Sequence, residues 1–139
     1  MTAASGSLLG TDVRILVAST LLAWVMLVTS TLIRTAFWRP SGLKVALGNR
    51  DGVPEPSPAA ARADRAAKNM LENLLLFCCL ILAARFADAP QDRVLVGASV
   101  FFWARLAYFP IYVAGVPYLR TLVWVVSVVG LGIIGVAAL

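Results

Sequence analysis

Arg65, Lys68, Asn69 and Glu72 are spaced three and four residues apart, so on a helix they share one face. A second stretch repeats the device with Arg105, Tyr108 and Tyr112, and Arg120 follows shortly after. Together they offer several guanidinium and ammonium groups, one carboxylate and two phenols. Arginine grips carboxylates through paired hydrogen bonds and a carboxylate receives an ammonium, so the set suits a small anion that also carries an amine. A zwitterionic peptide fits that description. If such a ligand carries a thiol, nearby cations favour the thiolate over the thiol, whose ordinary pKa is about 8.5, and the thiolate is the nucleophile. The residues alone do not choose among such anions.

The elements that must position these groups are membrane helices. With 60% hydrophobic and 14% charged residues in 139, there is too little polar surface to cover a soluble globule, so the sequence predicts an integral membrane protein. Residues 15–33 and 121–139 are charge-free windows, long enough to cross a hydrocarbon core of about 30 Å. Residues 94–113 are interrupted only by Arg105, and the Arg62 to Arg85 stretch supplies the fourth span. Its front half holds the polar residues and its back half is hydrocarbon. An ionisable side chain at a helix centre costs about 2.5 to 3.5 kcal/mol on insertion scales, so a chain that keeps several of them usually uses them. The expected fold is an all-α membrane protein, a four-helix up-and-down transmembrane bundle, forming one domain over residues 1–139. Its helices are expected at about 13–37, 60–85, 94–113 and 118–139, with a cytoplasmic loop at about 40–59. The first apolar run follows Asp12 and Arg14 rather than a basic cluster and is longer than a signal-peptide core, so helix one is expected to stay in the mature protein.

The net charge of +5 marks topology rather than a nucleic-acid surface. Arg34, Arg39, Lys44, Arg50, Arg62, Arg65 and Lys68 cluster between helices one and two, whereas Arg85 and Arg93 in the next turn are balanced by Asp88 and Asp92. The positive-inside rule then makes the first loop and the third connection cytoplasmic. A multi-pass protein of a cell's inner membrane, its site facing the cytoplasm, is the expectation. Gly48 to Pro58 reads as an irregular link. Counting helical rise from Arg85 and Arg93 puts Glu72 and Arg105 at similar depth, about 10 to 12 Å beneath the cytoplasmic face. They are expected to form a buried ion pair or two walls of one pocket, with Asn69, Lys68 and Arg65 rising above them to the cytosol.

These residues resemble the membrane-associated proteins in eicosanoid and glutathione metabolism, the MAPEG family, which includes microsomal glutathione transferases and leukotriene and prostaglandin synthases. The resemblance covers nearly the whole chain. One part is the helix-two pattern of Arg65, Asn69 and Glu72 leading into the apolar run from Leu74; the other is ARLAYFPIYVAGVPYLRTLVW, with Arg105, Tyr112 and Arg120. The resemblance implies a homotrimer binding glutathione between subunits near the cytosolic face. Arg65, Asn69, Glu72, Arg105 and Tyr112 would bind it, with Lys68 and Tyr108 beside them. Arg120 would stabilise the thiolate, with the Thr121 hydroxyl as a second donor. The thiolate would attack a lipophilic electrophile or reduce a lipid hydroperoxide reached from the bilayer. Departures from the family pattern fall at Ala67, Lys68 and Leu74 to Leu76.

Blander readings stand beside these. Arg65 and Lys68 lie close enough to the interface to snorkel to lipid phosphates, and Tyr108 and Tyr112 suit an aromatic belt with Trp38, Phe109 and Tyr118. Met70, Trp24, Trp103 and Trp124 read as packing or lipid contacts, and adjacent Cys78 and Cys79 as small packing residues. With no histidine and seven acids, no metal is expected. The alternatives to an enzyme are a non-catalytic lipid-binding or scaffold member of the family, and a small four-helix exporter; the cations around Glu72 argue for anion binding over the latter.

Overall fold

The computed structural model describes residues 10–49 and 55–139. Helix α1 spans Thr11–Thr35, α2 Pro40–Leu47, α3 Pro58–Phe86, α4 Gln91–Ala114 and α5 Pro117–Ala137. No strand occurs among the described residues. The four long helices are each long and apolar enough to cross a membrane. They form the expected all-α bundle, with α1 packed on α3 and α4 packed on α5 as its two most extensive pairs.

Local chemistry sets the helix ends. Ala36 turns into the left-handed region at φ 48°, which stops α1 at Thr35 rather than near residue 37. Ser57 caps α3 by accepting a hydrogen bond from the Ala60 amide, and Pro58 sits in the first turn, where its missing N–H is not needed. Gly115, at φ 82°, closes α4, and Pro117 opens α5. Within α4, Pro110 withholds one N–H from the last turn but one.

The segment expected as a plain loop at 40–59 contains α2. Pro40 presets its first turn, and Gly42 is buried against the backbone carbonyls of Thr35 and Ala36, an approach that no side chain would permit. Eight residues are too few for hydrophobic periodicity to reveal. Arg50 and the centre of the Gly48 to Pro58 link lie outside the described residues.

The core is a seam of small and aromatic side chains. On α3, Ala63, Ala66, Met70, Asn73, Phe77, Ile81 and Ala84 are buried at three- and four-residue spacing, the geometry of a helix turning one stripe to its neighbours. Phe77 stacks on Phe101 of α4 with ring centroids 4.3 Å apart. Between α4 and α5 the backbones themselves touch: a Cβ placed on Gly97 would lie 2.7 Å from the Gly130 carbonyl oxygen. Lipid tails are as apolar as leucine, so close approach through small residues is what holds such a pair together. At the opposite end from α2, Arg85 pairs with Asp12 of α1. The sequence offers no sign of this pairing, which α1 and α3 bring together across 73 residues.

Candidate functional site

The polar stripe of α3 faces away from its own bundle. Arg65, Lys68 and Glu72 are exposed, and only Asn69, at the edge of the stripe, is half-buried. At 100° per residue, Asn69 lies about 80° from the mean direction of the buried seam and Glu72 about 140°. That rotation decides the partners. The expected Glu72–Arg105 pair does not form, and among the described residues Glu72 has no ion pair. Arg105 instead donates from Nη1 to Oδ1 of Asn69 at 2.7 Å. Lys68 pairs with Asp64, one turn back on its own helix, at 2.8 Å.

Arg105 is completely buried. Its guanidinium carbon lies 5.6 Å from the ring centre of Phe101 and 5.2 Å from that of Tyr108, contacts that offset part of the cost of burying a cation. Tyr108 is buried and meets Tyr112 edge-on at 5.3 Å. The Arg120 guanidinium stands over the Tyr112 ring at 4.9 Å. An unbroken chain of aromatic and cationic contacts therefore runs from Phe101 through Arg105, Tyr108 and Tyr112 to Arg120.

This chain ends in a recess of about 180 Å³ lined by Asn69, Tyr108, Arg120, Thr121 and Trp124. Helices α3, α4 and α5 each contribute to it, and the sequence candidates Asn69, Tyr108, Arg120 and Thr121 meet there. Thr121 donates its hydroxyl to the Pro117 carbonyl at 3.2 Å, so its proton is engaged within α5. Arg65, Lys68 and Glu72 do not reach the recess; they flank it on the outward face of α3. Tyr112 supports Arg120 from behind, and Arg105 lies deeper still.

Two contributors were absent from the sequence reading of the site. Trp124, expected to make packing or lipid contacts, forms one wall; its four-residue step from Arg120 puts both on one face of α5. Arg62, expected only to mark topology, is the other. Its Nε donates to the Val113 carbonyl at 2.9 Å and its guanidinium packs against Gly115, tying the start of α3 to the end of α4 beside Tyr112.

A larger hollow of about 560 Å³ lies under α2, with Arg34, Trp38, Arg39, Glu55 and Ser57 among its walls. It shares no residue with the recess. The recess is the stronger candidate, because side chains singled out in the sequence converge on it from three helices.

No curated protein and no solved structure matches the chain. The model of the MAPEG family matches residues 15–139, nearly the whole chain; with its four membrane-crossing helices, the protein is an integral membrane member of the MAPEG family.

Proposed function

We propose that this protein is a membrane-embedded, glutathione-dependent transferase or peroxidase that works as a homotrimer with its site facing the cytoplasm. The observation that carries the reading is the recess where Arg120 and Asn69 from different helices stand together beside Tyr108. Cationic and hydrogen-bond-donating groups converging on one small polar cavity suit an anion, and Arg120 is placed to favour a thiolate over a thiol.

The donor set fits glutathione, which carries two carboxylates, one ammonium and one thiol. Arg65 and Lys68 supply cations for carboxylates, Glu72 an anion for the ammonium, and Arg120 a cation for the sulfur. The exposure of Arg65, Lys68 and Glu72 on a single chain accords with a site closed by a second copy, since charged groups at membrane depth are otherwise turned inward. The outward wall of Trp124 gives a lipophilic partner access from the bilayer. Glutathione supplies the nucleophilic sulfur; the protein's residues bind, orient and hold it ionised.

The test is direct. Purified protein in detergent or nanodiscs, mixed with glutathione, is expected to show thiolate absorbance and to convert a small aryl halide into its thioether with release of halide. Absence of both, with wild type indistinguishable from Arg120→Ala, would refute the enzyme reading and leave a non-catalytic member of the family.

A further inference from the structure

Arg105 is fully buried, so a ligand entering the recess does not reach its guanidinium. Its one protein hydrogen bond runs from Nη1 to Oδ1 of Asn69; Nε and Nη2 have no partner among the described residues. A guanidinium carries only donors. Asn69 can therefore meet it only through oxygen, because the flipped amide would set N–H against N–H. An asparagine amide ordinarily has two nearly equivalent orientations; here Arg105 leaves one.

The consequence falls on the other side of the amide. Nδ2 of Asn69 has no protein partner among the described residues, yet it is not sealed from access, and Asn69 lines the recess with Arg120. We propose that Arg105 is a positioning residue: by capturing Oδ1 of Asn69 it turns the N–H pair of that amide to the recess and holds it as a donor to the anionic group bound beside Arg120. The proposal rests on the thiol-binding reading above and replaces direct ligand contact by Arg105 with action through Asn69. It accounts for keeping a costly buried cation where a neutral side chain would pack more cheaply. A glutamine at this position could donate or accept and would let the amide turn; a lysine, like arginine, can only donate.

The experiment uses the full-length protein in nanodiscs and reads two quantities, glutathione affinity by calorimetry and the pH at which thiolate absorbance appears. Arg105→Gln is expected to weaken affinity about tenfold, the usual scale for a hydrogen bond to a charged group, and to move thiolate formation to higher pH. Arg105→Lys should recover most of both. In an Asn69→Ala background, Arg105→Gln should add nothing, since its route to the ligand is already gone. Additive losses, or a lysine variant as poor as the glutamine one, would overturn the positioning role. Asn69→Asp provides a check if Arg105→Gln does not fold: it keeps an acceptor for Arg105 but removes the N–H pair, so affinity should fall at least as far as in Asn69→Ala, and wild-type affinity would overturn the proposal. A wild type that binds no glutathione removes the functional reading itself, and with it this role for Arg105, before any variant is compared.

Discussion

Asp12, completely buried in the first turn of α1, accepts two hydrogen bonds from Arg85 in the last turn of α3, Oδ2 from Nε at 2.9 Å and Oδ1 from Nη2 at 2.7 Å. The paired geometry satisfies both carboxylate oxygens. It clamps the end of the bundle farthest from the recess.

The two halves of that clamp are unequal, which makes a first prediction. Arg85→Ala leaves the Asp12 carboxylate without its paired donor and should cost about 1 to 3 kcal/mol. Asp12→Ala should cost clearly less, because the Arg85 side chain is 35% exposed and can turn to water or lipid headgroups. Unfolding titrations in mixed micelles of both variants and the double variant check this; equal losses from the two single changes would contradict it.

Two glycines on α5 differ in what surrounds them. A Cβ on Gly130 would lie 2.8 Å from the Gly97 carbonyl oxygen and from the Phe101 amide nitrogen, whereas one on Gly132 meets nothing within 4 Å. Gly130→Ala should force α4 and α5 apart at about 1 to 3 kcal/mol, and Gly132→Ala should be neutral or stabilising by up to about 1 kcal/mol. Thermal unfolding of the pair in one detergent separates them.

Arg120 and Thr121 are neighbours with unequal prospects. Arg120→Ala should lower the rate of thiol conjugation by about a hundredfold or more, the scale for losing a group aimed at developing negative charge. Thr121→Val should cost under about tenfold, since the hydroxyl proton is already given to Pro117. Steady-state kinetics with glutathione and an aryl halide measure both, and a threonine effect as large as the arginine one would reverse the assignment.

Glu72 is exposed and has no ion pair among the described residues, so its loss should spare the fold of the single chain. Glu72→Gln should weaken glutathione binding by about tenfold or more through the lost ammonium partner, with the melting temperature unchanged. Calorimetry alongside a thermal scan tests both halves of the statement.

The link between Arg62 and the end of α4 gives a last one. Arg62→Met removes a charged donor from the Val113 carbonyl and should cost about 1.5 to 3 kcal/mol. Gly115→Ala should also destabilise, by about 1 kcal/mol, because its φ of 82° disfavours a side chain and the Arg62 guanidinium lies 3.3 Å from where the Cβ would sit. Both should lower glutathione affinity less than Arg120→Ala does, as neither touches the recess.

Much of this protein was legible before any fold. Hydrocarbon runs long enough for a bilayer define four helices, since in lipid each backbone amide must bond within its own helix. Spacing along α3 put Arg65, Lys68, Asn69 and Glu72 on one face, where they stand, and spacing along α4 aligned Arg105, Tyr108 and Tyr112, which form a contact chain. Such relations survive because a single helix has fixed geometry.

What only the tertiary structure decided is the rotation of each helix against the next. Depth counting set Glu72 level with Arg105, but depth says nothing of angle. The seam through Met70 and Phe77, the stack of Phe77 on Phe101 and the backbone contact of Gly97 with Gly130 turn Asn69 to Arg105 and leave Glu72 outside. The same packing joined Asp12 to Arg85 and brought Trp124 to the recess. Periodicity states which residues share a face; which face meets which neighbour follows from how side-chain volumes fit together across helices.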